Sequence, residues 1–234
     1  MSKTKFLLFS LLMSLACSTV SAQSYPVVMN EGQRVVTGFQ SFLTDDDRIF
    51  ANALKWGVTN LCEKERDGLF DIRVNKKDFS FNASFEYEQA GKVKYRFNCK
   101  GNIKVQDRKL VYTLYDISYS SSSIFSFSSA TSLDRLSPEK KPKHQEIITA
   151  FQTLSSKLLN SLFEEVGDDK CASVSHWDEI NIQKAVKGMN EDECLLAFGK
   201  PNTQYEDNNN RLQWSYGLNF ILIFTQGQLE TILR

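Results

Sequence analysis

The chain has 234 residues, with 28 Lys and Arg set against 28 Asp and Glu for a formal charge of zero. That balance excludes the strong basic excess of a general nucleic-acid binder. An apolar fraction of 41% and an aromatic fraction of 12% exclude a disordered chain and supply enough side chains for a packed interior.

Residues 1–22 read as a targeting segment rather than as part of a fold. Lys3 and Lys5 give a positive start, Phe6 to Ala16 is an almost unbroken apolar run, and Val20-Ser21-Ala22 places small residues before Gln23. Cleavage before Gln23 is expected, and the loss of Lys3 and Lys5 takes the formal charge from zero to −2. The apolar run is too short for a permanent bilayer anchor. Cys17 raises the alternative of a lipid anchor, although Leu15 lies two residues before it where the lipid-attachment pattern places leucine three before. No later segment approaches the roughly 18 apolar residues of a membrane span. The mature chain is therefore expected to be exported, periplasmic or outer-membrane-associated in a Gram-negative cell, without a transmembrane segment.

The first element after the leader is a strand within Arg34 to Leu43. Thr44 then caps a helix whose first turn carries Asp45, Asp46 and Asp47, where carboxylates meet the positive end of the helix dipole. The same triplet also has the composition of a hard-cation site. Phe50, Ala53, Leu54, Gly57, Val58, Leu61 and Cys62 form the helix's apolar stripe. Phe79, Phe81, Ala83, Phe85 and Tyr87 next alternate with polar residues, Gln89 to Lys92 turns, and Val93, Tyr95, Phe97 and Cys99 alternate in return. This hairpin has an aromatic face and a charged face. Lys92, Lys94, Arg96 and Lys100 on the charged face read as an anion-docking stripe or as a solvated surface balanced by Glu86 and Glu88. A short strand at Ile103 and Val105 and a longer one from Leu110 to Tyr119 continue the meander.

Nine serines between Ser118 and Ser132 read as a loop or ragged edge. Ile147, Phe151, Leu154, Leu158, Leu162 and Val166 step by three or four along a long helix that Gly167 closes. The polar stretch 167–177 is a linker with some hinge freedom. Asp178 to Val186 reads as a helix, and Asn190 with Glu193 three positions on forms a capping box for another. Gly199-Lys200-Pro201 stops it, Gln204 to Arg211 is a polar loop, and Leu212–Tyr216, Asn219–Thr225 and Leu229–Leu233 are three strands.

These elements give an α+β chain with a leader at 1–22, a domain at 23–166 and a small ααβββ module at 178–234. In the larger domain an antiparallel meander is flanked by two helices. Four cysteines remain after cleavage: Cys62, Cys99, Cys171 and Cys194. They allow either buried thiols or structural bridges. His144 and His176 are the two histidines. Neither sits in a nucleophile motif or at metal-ligand spacing, so no catalytic, cofactor or metal site is expected. Trp214, Tyr216 and Phe224 are candidate contacts for a protein partner, with core packing as the alternative. The aromatic face of Phe79, Phe81, Phe85, Tyr95 and Phe97 is the lining that a carrier of a lipid or glycan would use.

The run from Gly188-Met189-Asn190 through Leu195-Leu196-Ala197-Phe198-Gly199-Lys200-Pro201, followed by Trp214-x-Tyr216 and Leu222-Ile223-Phe224, resembles the SmpA/OmlA family of small outer-membrane lipoproteins of the barrel assembly machinery. The resemblance covers about residues 178 to 234 and implies a helix–helix–sheet module in the cell envelope. Residues 34 to 166 resemble, in the order of their elements, an exported family catalogued as domain of unknown function 4468. That resemblance implies a TATA-binding-protein-like (TBP-like) fold and, because function belongs to sites, implies nothing about DNA.

Overall fold

The computed structural model describes residues 24–123, 126–127, 129–167, 171, 173–208 and 211–234. The leader, its cleavage site and Cys17 lie outside the described residues. Among the described residues no helix is long and apolar enough to cross a membrane.

The large unit begins with strands β1 (Val28–Asn30) and β2 (Gln33–Ser41), helix α1 (Asp46–Leu61) and strand β3 (Leu69–Arg73). Long strands β4 (Asp78–Gln89), β5 (Lys92–Gln106) and β6 (Lys109–Ser123) follow, then short β7 (Ser126–Phe127) and β8 (Thr131–Ser132), and helix α2 (Pro142–Gly167). They form an antiparallel sheet in the order β1-β2-β6-β5-β4-β3, with β7 and β8 also pairing with β6. Register shifts between Tyr87 and Glu88 and between Asn98 and Lys100, with Asp116 at φ +52°, bend the sheet. Helices α1 and α2 cover one face. Phe79, Phe81, Tyr95 and Phe97 are buried there, and the Trp56 indole meets the Phe81 ring edge-on at 6.2 Å. Each such side chain contributes about 1.5–3 kcal/mol by leaving water.

Several expectations are corrected. The N-cap of α1 is Asp45 rather than Thr44, its carboxylate accepting the Arg48 N–H at 3.0 Å. Asp46 accepts the Arg108 N–H at 2.7 Å and Asp47 pairs with Lys77 at 3.3 Å, so all three acids serve structure. The two strands read on either side of Gly101 are one. An added Cβ at Gly101 would lie 2.1 Å from the Phe81 ring, so this glycine is a seat for an aromatic ring rather than a break. The serine-rich stretch is largely strand, because β6 runs on to Ser123.

The C-terminal unit has helices α3 (Trp177–Asn181) and α4 (Glu191–Phe198) and strands β9 (Thr203–Glu206), β10 (Arg211–Tyr216), β11 (Phe220–Thr225) and β12 (Gln228–Leu233). Its sheet has four strands, in the order β12-β11-β10-β9, where three were expected. Strand β9 was hidden in a polar stretch, and α3 is shorter than the expected helix. The capping box on α4 is present, with Asn190 accepting the Glu193 N–H at 2.8 Å and Glu193 accepting the Asn190 N–H at 2.9 Å.

The two units are seamed together where a hinge was expected. Glu65 and Lys200 form a β-bridge, Lys55 pairs with Asp192 at 2.6 Å, and the Lys200 ammonium donates to the Cys62 carbonyl at 3.0 Å. Arg66 inserts its guanidinium and donates to the Ala197 carbonyl at 2.9 Å; burial pulls its pKa down to about 10. The Phe50 and Trp177 rings lie 5.6 Å apart across the same seam.

Candidate interaction groove

Trp214, Tyr216 and Phe224 are 5%, 6% and 1% exposed, which corrects their reading as partner contacts. Alternation along β10 puts the first two on one face, and that face packs into the interior with Cys194, Ala197 and Leu229. Trp214 and Phe224 meet at a tilt of 58°, with ring centroids 4.9 Å apart. The Tyr216 hydroxyl donates to the Gly199 carbonyl at 2.9 Å, and burial drives its pKa well above the ordinary tyrosine value.

The cationic stripe is likewise not a row of free charges. Arg96 pairs with Glu86 at 2.5 Å and Lys100 with Asp116 at 2.9 Å. Lys94 pairs with Glu146 of α2, and Lys92 is exposed at the β4–β5 turn. Three of the four cations therefore already hold a carboxylate. Most of the aromatic face is filled, since Phe79, Phe81, Tyr95 and Phe97 pack under the helices, while Phe85 is half-buried and lines an open cleft.

Each histidine ring is held by a local partner. His144 accepts the Ser137 N–H through Nδ1 at 2.9 Å. His176 shares a cluster with Ser175 and Glu193, but the Ser175 hydroxyl and the Glu193 carboxylate both meet the same ring nitrogen, Nδ1, at 3.1 and 2.9 Å. A nucleophile–base–acid relay needs the serine and the acid on opposite ring nitrogens. The cluster instead fastens the linker to α4. Glu193 is 1% exposed and accepts the Ser175 N–H at 2.6 Å, the Ser175 hydroxyl at 3.0 Å and the His176 N–H at 3.0 Å.

Burial alone would raise the Glu193 pKa, but hydrogen bonds from Ser175, Asn190 and His176 outweigh it and hold the carboxyl below its ordinary value. A lowered folded pKa contributes stability above the unfolded glutamate pKa of about 4.3, and that stability is lost as pH falls through the lower folded value. Acid titration of the melting temperature should therefore show a fall below about pH 4 that is smaller in Glu193→Gln. An identical acid profile in the variant would remove Glu193 from that role.

Cys62, Cys99 and Cys194 are buried free thiols. Burial pushes the Cys99 and Cys194 thiols up to about 12, so they behave as small hydrophobes.

What the C-terminal unit does present is an aromatic groove of about 520 Å³. Its floor is Phe198, Tyr216 and Phe220, with ring centroids 5.1 to 5.7 Å apart. Leu218 stands on the rim at 97% exposure, on the turn between β10 and β11. Gly217 takes φ +61° there, and its N–H donates to the Asn202 side chain at 2.5 Å, which fixes the turn. Gln183 and Asn219 bring amides, and the Arg234 guanidinium lies over the Phe220 ring at 5.4 Å. Ile182, 64% exposed, adjoins Gln183 in sequence. The sequence reading missed Phe198, Leu218 and Phe220 as site residues. The available signal was Leu218 itself, a large apolar residue between Gly217 and Asn219 where turn chemistry favours polar ones.

No protein-family model matches the chain, and no curated protein matches it. Among solved structures, a TBP-like protein from Parabacteroides distasonis superposes with a TM-score of 0.51 at 12% identity, covering 60% of this chain and 96% of that one. A DUF4468 family protein from Bacteroides ovatus gives a TM-score of 0.46 at 12% identity, covering 66% of this chain and 93% of that one. At 12% identity the first likeness shows the fold alone: an α+β, TBP-like architecture. A match over 60% of the chain exceeds the C-terminal unit and must draw on the large sheet.

Proposed function

We propose that this chain is an exported, non-catalytic cell-envelope protein that docks a protein partner through the aromatic groove of its C-terminal unit. The observation that carries the reading is Leu218, almost wholly exposed on a turn pinned by Asn202, above a floor of three aromatic rings. Exposed apolar side chains gathered over an apolar depression, rimmed by amides and a cation, have the anatomy of an interface anchor. The leader-like residues 1–22 support export. The capped helix followed by an antiparallel sheet supports the SmpA/OmlA-like reading of the module, and with it an outer-membrane-associated setting.

Leu218→Asp tests this directly. The side chain makes little contact within the fold, so the melting temperature should stay within about 2 °C of the parent. Retention of the partner on the immobilised mature chain should fall at least about tenfold, since truncating an interface anchor costs about 2 kcal/mol or more. Undiminished retention of the same partner by the variant would exclude the groove.

A further inference from the structure

Strand β4 runs on well past its outer neighbour. β3 meets it at Leu69, Phe70 and Arg73, opposite Phe81, Ser80 and Asp78, whereas β4 continues to Gln89. Among the described residues, no strand pairs with the outer edge of β4 beyond Phe81. The Asn82 N–H marks the direction of that edge by donating to the Gly68 carbonyl at 3.2 Å, away from β5. Backbone groups alternate along a strand, so Ser84 and Glu86 direct their N–H and C=O groups to the same open side.

A cleft of about 850 Å³ borders this stretch. Leu61 at the end of α1, Leu158 of α2 and Phe85 supply apolar lining, and Glu63 and Asp67 come from the loop after α1. The one lysine in the lining, Lys100, is already paired with Asp116 at 2.9 Å, which leaves the cleft acidic. Edge strands are commonly guarded by charge. Here Glu86 is paired with Arg96 at 2.5 Å, and Glu88 stands beyond it on the open stretch.

We infer that the open edge of β4 binds an extended, lysine- or arginine-bearing segment of a partner protein by strand addition. Main-chain hydrogen bonds to Ser84 and Glu86 supply affinity, and alternate side chains supply specificity. Apolar side chains of the added strand enter the cleft beside Leu61, Phe85 and Leu158, while its cations meet Glu63 and Asp67. An acidic segment is repelled by the same carboxylates and by Glu88. This surface is separate from the aromatic groove.

The test uses the whole mature chain and two labelled nine-residue peptides, one alternating valine with lysine and one alternating valine with glutamate. Fluorescence anisotropy should show the lysine peptide binding at least about tenfold more tightly. Amide exchange should slow at Ser84 and Glu86 on binding. Ser84→Pro removes an outward N–H where an edge strand tolerates proline, and should weaken binding about tenfold or more. The double variant Glu63→Lys with Asp67→Lys leaves the β4 ladder untouched and should weaken it comparably, which keeps the test decisive if the proline variant is unstable. Leu218→Asp should leave peptide binding unchanged, so failure of this site and failure of the groove are told apart. Equal or absent binding of the two peptides, or unslowed exchange at Ser84 and Glu86 under saturating lysine peptide, overturns the inference.

Discussion

Gly199→Ala should destabilise the protein by about 3 kcal/mol or more, read as a shift in the urea midpoint at unchanged slope. Gly199 closes α4 at φ +85° and ψ −162°, backbone that only glycine adopts without strain. An added Cβ would lie 1.8 Å from the carbonyl carbon and oxygen of Glu65, which is backbone and cannot swing aside as a side chain can. The loop after α1 must then retreat. That retreat breaks the Glu65–Lys200 bridge and pulls Arg66 away from the Ala197 carbonyl, leaving a half-buried guanidinium without that acceptor. The effect should reach both units, because the seam joins one continuous core. A change below about 1 kcal/mol would show that the seam yields freely and that the units fold apart.

Trp214→Ala should cost about 3–5 kcal/mol, the range for emptying a buried aromatic site. Trp214→Phe should cost far less. The indole Nε1 is buried with no hydrogen-bond partner among the described residues, so phenylalanine removes an unpaired polar group along with part of the ring. Chemical denaturation of the two variants beside the parent checks both expectations. This pair separates a core role from a contact role, since a surface anchor would lose binding in either variant and keep its stability. Similar, small losses in both would return Trp214 to the list of candidate contacts.

Much of the fold was legible because its signals are local. The apolar stripe of α1, the alternation of Phe79 to Tyr87 against Val93 to Cys99, and the Asn190–Glu193 box each bury or satisfy groups that sit within a few residues of one another. Strand β3 was not legible, because Asp71 at φ +49° interrupts its alternation. Strand β9 was hidden because Thr203 to Glu206 are all exposed, so backbone pairing with β10 holds it rather than side-chain burial.

The site was harder to read for a related reason. Periodicity groups Trp214 with Tyr216 but cannot say which face of a sheet another element will cover. Lys94 and Lys100 looked free because Glu146 and Asp116, their partners, lie 52 and 16 positions away. The seam is the clearest case. Gly199 reads as a helix stop, and nothing near it in sequence announces that the Glu65 carbonyl presses against it.

Photocrosslinking from position 218 tests the central claim most directly. A benzoylphenylalanine in place of Leu218, compared with the same probe at Leu43, which is equally exposed on the large unit, reports what occupies the groove in the native envelope. The account predicts one discrete protein adduct from 218 that is absent from 43 and lost when Phe220→Glu accompanies the probe. No adduct from 218, or the same adducts from both positions, would contradict a docking groove.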